Sequence, residues 1–211
     1  MNSVLGTVKW SSELAYGIGL ITTDGCLSKD GRHIELTSKD LEQIQNFQGI
    51  FKLKNKISLK KSSYNPNGLY YHVQFGNVKF YNFLLSIGLT SHKSKTLGAI
   101  KVPAKYFGDY LRGHLDGDGY TCSYMSNQYK NSLVFYTYFC SASHNHIKSL
   151  KDTIYEQYKI LGRINFQKKS SVYRLAYAKQ NSLILLRKIY QNKGAVCLTR
   201  KKDKIFSAID I

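Results

Sequence analysis

Acid is what this sequence lacks most. Its 211 residues hold 13 Asp and Glu against 31 Lys and Arg, a formal net charge of +18. No carboxylate occurs between Glu42 and Asp109, nor between Glu156 and Asp203. The first gap carries ten lysines and the second twelve Lys or Arg. Solubility needs far less than this. A surface so depleted in acid suits a polyanion, where each neutralised phosphate releases counterions. The chain also lacks any run approaching the roughly 18 apolar residues of a membrane span, and its N-terminus lacks an apolar signal segment. It therefore reads as an intracellular protein of a prokaryotic cytoplasm or an organelle, with no membrane partner. Cys26, Cys122, Cys140 and Cys197 stand far apart with no CxxC, so neither a disulfide framework nor a zinc site is indicated. Hydrophobic residues at 43% exclude a disordered chain. The length allows one large domain or two of roughly 100 residues.

What the sequence does have is an internal repeat. Gly17-Ile18-Gly19-Leu20-Ile21-Thr22-Thr23-Asp24-Gly25 resembles Leu111-Arg112-Gly113-His114-Leu115-Asp116-Gly117-Asp118-Gly119. Further on, 56–59 answers 163–166, 71–75 answers 173–177, 83–87 answers 185–189 and 89–95 answers 198–204. Five matches in one order are a duplication. The halves are set at 1–97 and 105–211, with 98–104 as the linker bracketed by Gly98 and Pro103.

Each half reads as helix, two strands, helix, two strands, helix. The fold class is α+β: two pseudo-symmetric αββαββα halves, each with an antiparallel four-stranded sheet. In the first half, helices are predicted over 13–23, 40–51 and 79–87, the first capped by Ser11 or Ser12. Strands are predicted at 32–38, 56–61 and 69–76, the last two joined by the turn-rich 64–68. The second half gives strands near 120–128, 132–141, 163–169 and 171–178, and helices near 145–160 and 180–191. One parity of each clear strand is apolar. The other is polar or basic, as in a sheet covered on one face and wet on the other. The wet parity carries Lys56, Ser58, Lys60, Tyr70, His72 and Gln74 in the first half, and Arg163, Asn165, Gln167 and Arg174 in the second. These side-chain types reach phosphates and base edges in the major groove.

Asp24 and Asp118 each end an amphipathic segment, followed by a glycine that fits a C′ position with φ > 0. A carboxylate there opposes the helix dipole, and its recurrence at equivalent points of a duplication suggests a compensating cation. Two carboxylates, with the backbone carbonyls of Thr23 and Gly117 beside them, form a hard-oxygen set suited to Mg²⁺. Mn²⁺ or Ca²⁺ are the expected substitutes for binding. Ala15 with Gly19, and Gly113 with Gly117, would let the two helices approach closely.

The two nonamers resemble the LAGLIDADG motifs of homing endonucleases, in the form where one chain carries both copies. The second copy is the closer. In the first, Thr22 stands where the family has an earlier acid, and Gly17-Ile18 where it has Leu-Ala. The acid before the final glycine, the family's catalytic position, is present in both as Asp24 and Asp118.

The resemblance implies a monomer with internal pseudo-twofold symmetry, whose two sheets form a DNA-binding saddle. It further implies intron homing and a metal-dependent double-strand break across the minor groove of a long, asymmetric duplex target. It also implies polar and basic residues beside each acid. Ser38 and Lys39 are the candidates in the first half, with Ser141 and Ser143 as their counterparts. Lys93 and Lys202 are the aligned pair of central lysines. The alternatives within the same fold are an RNA splicing maturase, a DNA-binding protein that does not cleave, and a nicking enzyme.

Overall fold

The computed structural model describes residues 8–61, 68–128, 132–192 and 194–208. The expected turn at 64–68 falls almost wholly outside them. The first half consists of α1 (Ser12–Asp24), β1 (Gly25–Leu27), β2 (His33–Ser38), α2 (Leu41–Phe51), β3 (Ser58–Lys61), β4 (Leu69–Gly76) and α3 (Val78–Ser86). The second repeats it with α4 (Phe107–Gly117), β5 (Tyr120–Met125), β6 (Leu133–Ser141), α5 (His144–Tyr158), β7 (Arg163–Gln167), β8 (Val172–Ala178) and α6 (Lys179–Ile189). Both sheets are antiparallel and equivalent in order, β1-β2-β4-β3 and β5-β6-β8-β7. The expected αββαββα pattern is thus present twice. No described helix is long and apolar enough to cross a membrane.

Strand alternation builds each core. Ile34, Leu36, Val73 and Phe75 point to one face of the first sheet and are buried. They meet Phe47 and Phe51 of α2 and Phe80 of α3, with Phe47–Phe51 ring centroids 4.7 Å apart and Phe51–Phe80 5.1 Å. The edge strand departs from the expected alternation: Leu59 is 57% exposed, and Lys56 and Ile57 precede β3 rather than belong to it. β1 has only three residues, Gly-Cys-Leu, too few to show a period.

α1 is not amphipathic. Every residue from Leu14 to Thr22 is buried, because the helix lies between its own half and α4. Glycine makes that approach feasible. A Cβ on Gly113 would stand 2.1 Å from Tyr16 O, and one on Gly19 would stand 2.4 Å from Tyr110 O. Gly17, by contrast, faces Phe51 of α2.

Two segments cross between the halves. After α3, Leu97 O accepts from Ser143 Oγ of α5's N-cap (2.5 Å), and Gly98 O bonds His146 Nδ1 (2.9 Å). Reciprocally, Cys197 O accepts from Asn46 of α2 (3.0 Å). Thr199 N donates to Glu42 (3.1 Å), and Arg200 makes a two-point pair with Asp40 at 2.6 and 2.8 Å. The start of the linker is therefore packed against α5 rather than a free tether.

The crossing C-terminal segment leads into α7 (Thr199–Ala208), a helix absent from the sequence reading. Its counterpart in the first half, 91–96, is a run of turns. Buried Arg112 of α4 fixes the approach, donating to Ile189 O and Val196 O at 2.8 Å each while pairing with Asp109 at 2.7 Å.

Candidate active site

α1 and α4 end side by side, which brings their terminal acids together. A Cβ on Gly117 would lie 1.9 Å from Thr23 Oγ1 and 3.0 Å from Asp24 Oδ2. Asp24 is the last residue of α1, and Asp118 is the C-cap of α4. The glycines that follow do not serve as left-handed caps. Gly25 is extended, at φ −85 and ψ 154, and Gly119 is not among the positive-φ residues. Their reason is space. A Cβ at either would lie 2.6 Å from a Cα of the preceding turn, that of Ile21 or Leu115. Absence of a side chain, not a positive φ, lets each strand leave its helix so abruptly.

The paired carboxylates are held in unfavourable surroundings. Burial, and then the charge of Asp118, push the Asp24 carboxyl up to about 7, against the opposing pull of Gln43, Lys201 and Lys93. Burial also raises Asp118, opposed by the same two lysines. Gln43, at the third position of α2, donates to Asp24 Oδ2 at 2.6 Å. The corresponding position of α5 is His146, which turns to the linker instead. Among the described residues no side chain donates to Asp118. A cavity of about 510 Å³ opens beside it, lined by Thr23, Lys93, Ser94, Cys140 and Ser141.

Two lysines stand at the helix ends. Lys93 is buried and donates to Gly25 O. Lys201, not Lys202, is its counterpart. Lys201 Nζ reaches the carbonyls of Leu115, Asp116, Gly117 and Gly119 at 2.6–3.0 Å. It thus satisfies the open carbonyls that end α4 and faces its dipole. Burial lowers the pKa of both lysines. Lys202 sits one residue further round α7, its ammonium 5.8 Å from the centroid of Phe206. The register slips because the first half inserts the left-handed His92 (φ 54) before its lysine, whereas α7 is already helical there. Asp116 supports this placement. Its Oδ2 accepts from Leu198 N (2.7 Å) and Tyr16 OH (2.8 Å), tying the start of α7 to both motif helices.

The other expected residues are distributed as follows. Lys39 is exposed and lies over the Tyr70 ring, 5.3 Å from its centroid, on the open sheet face rather than at the acids. Ser38 accepts from Asp40 N, and Ser143 caps α5. The carbonyl of Gly117, expected to face a cation, already accepts from Lys201.

Cross-strand register gathers Ser58, His72 and Thr37, and Lys60 with Tyr70, on one open face. Glu35 and Gln74 share that face. Glu35 is its one strand carboxylate and engages Lys60 at 2.6 Å and Thr37 at 2.9 Å. Lys60 is therefore not free for phosphate without giving up Glu35. On the second sheet Asn165 pairs across from Arg174, and Arg163 from Ala176. That face also carries Tyr120, Tyr124, Tyr136 and Tyr138, which sequence reasoning did not single out. The signal was present in their period of two against buried Thr121, Phe135, Thr137 and Phe139.

Comparison with known proteins agrees with this architecture. Residues 11–88 match the family described as a LAGLIDADG-like domain. No curated protein matches the sequence. Among solved structures, the homing endonuclease I-WcaI bound to its DNA recognition sequence superposes with a TM-score of 0.63 at 12% identity, over 93% of this chain and 88% of that one. I-DmoI in complex with DNA and Mn gives 0.55 at 15% identity, over 86% and 97%. Full-length DUF199/WhiA from Thermatoga maritima gives 0.56 at 12% identity, over 98% and 69%. Identities this low show a shared fold. That fold houses proteins of more than one description.

Proposed function

We propose that this protein, a member of the LAGLIDADG family with two copies of the fold in one chain, is a site-specific DNA endonuclease. It would act as a monomer on a long asymmetric duplex, the open faces of its two sheets forming the DNA-binding saddle. The observation that carries the reading is the pair Asp24 and Asp118, brought together at the abutting ends of α1 and α4, Asp24 half-buried and Asp118 open to the surface. Nothing in a merely structural helix pair calls for two carboxylates at the negative ends of two dipoles. A binding surface alone does not need them either.

The donor set fits a divalent cation. Asp24 and Asp118 supply hard oxygens, with the Thr23 carbonyl at the same helix end. Desolvation and, after it, repulsion from Asp118 raise the Asp24 carboxyl, and a bound Mg²⁺, Mn²⁺ or Ca²⁺ would offset both. When bound, such an ion activates water and stabilises the charge developing on a phosphodiester. The chain's own groups do the rest. Gln43 fixes one rotamer of Asp24. Lys201 neutralises the end of α4. Lys93 stands at the wall of the cavity beside Asp118, where a scissile phosphate would lie. The bases of the two open faces hold the duplex across the acids: Ser58, His72 and Gln74 on one side, Arg163, Asn165, Gln167 and Arg174 on the other.

The likeness to DUF199/WhiA over nearly the whole chain favours one second reading, a DNA-binding protein that does not cut. A randomised duplex target library incubated with Mg²⁺ separates the two. The endonuclease reading expects linear products from a narrow set of sequences, abolished by Asp24→Asn and by Asp118→Asn. Sequence-selective binding with no product in Mg²⁺ or Mn²⁺ would establish the non-cleaving alternative.

A further inference from the structure

The two open sheet faces occupy equivalent places in the repeat yet have opposite chemistry. Register pairs Cys26 with Glu35 and Glu35 with Gln74 in the first half. The same three strands in the second half pair Tyr120 with Tyr138 and Tyr138 with Ala176. The next step along the strands gives His33 with Gly76, against Tyr136 with Ala178. Where the first face centres on a carboxylate holding Lys60 and Thr37, the second centres on a row of tyrosines. Tyr120 and Tyr138 stack with centroids 4.7 Å apart at 18°, and Tyr136 continues the row 5.7 Å from Tyr138 at 27°.

Beside this row lies a recess of about 780 Å³. Tyr124 and Tyr136 wall it, Ala176 and Ala178 floor it, and Arg163 and Asn165 stand at its rim. Leu161, 65% exposed, completes the edge. The alanine floor offers no side-chain donor or acceptor. A base amine or carbonyl set against these two alanines gains no partner from them, although Tyr124, Tyr136, Tyr138, Asn165 and Asn181 also line the recess. In the major groove only thymine presents an apolar group, its 5-methyl. The guanidinium at the rim supplies charge complementary to the flanking phosphate. Tyr138 stacks with both Tyr120 and Tyr136, which disfavours insertion of an unpaired base at the middle of the row.

We propose that this recess is a thymine-methyl site. The second half reads a thymine-rich half-site by apolar contact, while the first half reads its half-site by hydrogen bonds. The proposal rests on the reading above that DNA lies along these faces.

The test uses the full chain and two random duplex libraries, one made with thymidine and one with deoxyuridine, which lacks only the methyl. Binding is selected in Ca²⁺. Thymine should be enriched in one half-site of the first library and lose its enrichment in the second. The other half-site, the one altered by His72→Ala, should keep its sequence. In a selected duplex, each thymine replaced by uracil in the second half-site should weaken binding about four-fold, the value of one buried methyl. Tyr136→Ser should remove that discrimination, and so should Tyr124→Ser, at a position 54% exposed where the fold does not depend on the ring. Identical sequences at equal affinity from both libraries would overturn the methyl site and leave the endonuclease reading standing. Enrichment of no sequence from either library would overturn both.

Discussion

Gln43 donates to the carboxylate of Asp24 at 2.6 Å, and among the described residues no side chain does the same for Asp118. The two acids of the pair are therefore not equally positioned. Gln43 is fully buried, so its amide is fixed by packing and in turn fixes Asp24. Removing a hydrogen bond to a charged group costs about 1.5–3 kcal/mol. Gln43→Leu is expected to slow cleavage about ten-fold or more. The loss should fall mainly on the strand served by Asp24. A supercoiled-plasmid time course should then accumulate open circles. Equal slowing of both cuts would show that Gln43 does not act through Asp24.

Lys201 bonds four carbonyls at the end of α4, and Lys202 contacts Phe206. Lys201→Met leaves those carbonyls without their cation and exposes Asp118 to the bare helix dipole. The expected loss is about 2–3 kcal/mol of folding stability, read by urea denaturation. Lys202→Met should cost less than half as much. Asp116→Asn, which weakens the tie to Leu198 N, should resemble a mild Lys201 variant because it loosens the start of α7. If the two lysine variants were equally unstable, the four-carbonyl contact would not be the anchor it resembles.

The repeat, the longer strands and the two acids were legible in the sequence because each rests on a local pattern. Alternation over six to nine residues places β2, β4, β6 and β8 within a residue or two. What was not legible depends on neighbours far along the chain. α1 has an apolar period, yet its burial on all sides comes from α4. The glycines after Asp24 and Asp118 suggested a dihedral requirement, whereas the constraint is the preceding turn of the same helix. Lys201 was missed for Lys202 because aligning 89–95 with 198–204 assumes equal backbone paths, and His92 breaks that equality. α7 has low apolar content and is held at its start by Asp40 and Glu42, and the segment before it by Arg112, none of which lies near it in sequence.

Gly113 and Gly19 permit the approach of α1 to α4 on which the site depends. A Cβ on Gly113 would meet backbone, Tyr16 O at 2.1 Å, not the yielding end of a side chain. Gly113→Ala is therefore expected to cost about 3 kcal/mol or more, at the upper end of overpacking penalties, and to part the two acids. Gly49→Ala is the control. No heavy atom lies within 4 Å of its Cβ position, and alanine is the better helix former. Denaturation midpoints should fall for the first and hold or rise for the second.

His114 and His146 form a buried pair in the second half, with Nε2 atoms 3.1 Å apart and rings stacked. The carbonyl of Gly98 can only accept, so His146 carries its proton on Nδ1 and leaves Nε2 bare. His114 must then donate from Nε2, and its own Nδ1 has no partner among the described residues. Both rings are neutral in this chain of bonds. Burial holds the His146 pKa down at about 4, and burial together with His146 pushes His114 below its ordinary value. In the unfolded chain each titrates near 6.5. Below that pH the unfolded state binds protons that the folded state refuses, so stability is complete above about 6.5 and is lost as pH falls toward 4. For His146 alone the loss amounts to roughly 2–3 kcal/mol over that window. His146→Gln keeps a donor for Gly98 O and removes the titration. Its melting temperature should fall less between pH 7 and pH 4.5 than that of the parent protein. Parallel pH profiles would mean that acid lability arises elsewhere, and that the contact holding the linker to α5 is indifferent to protons.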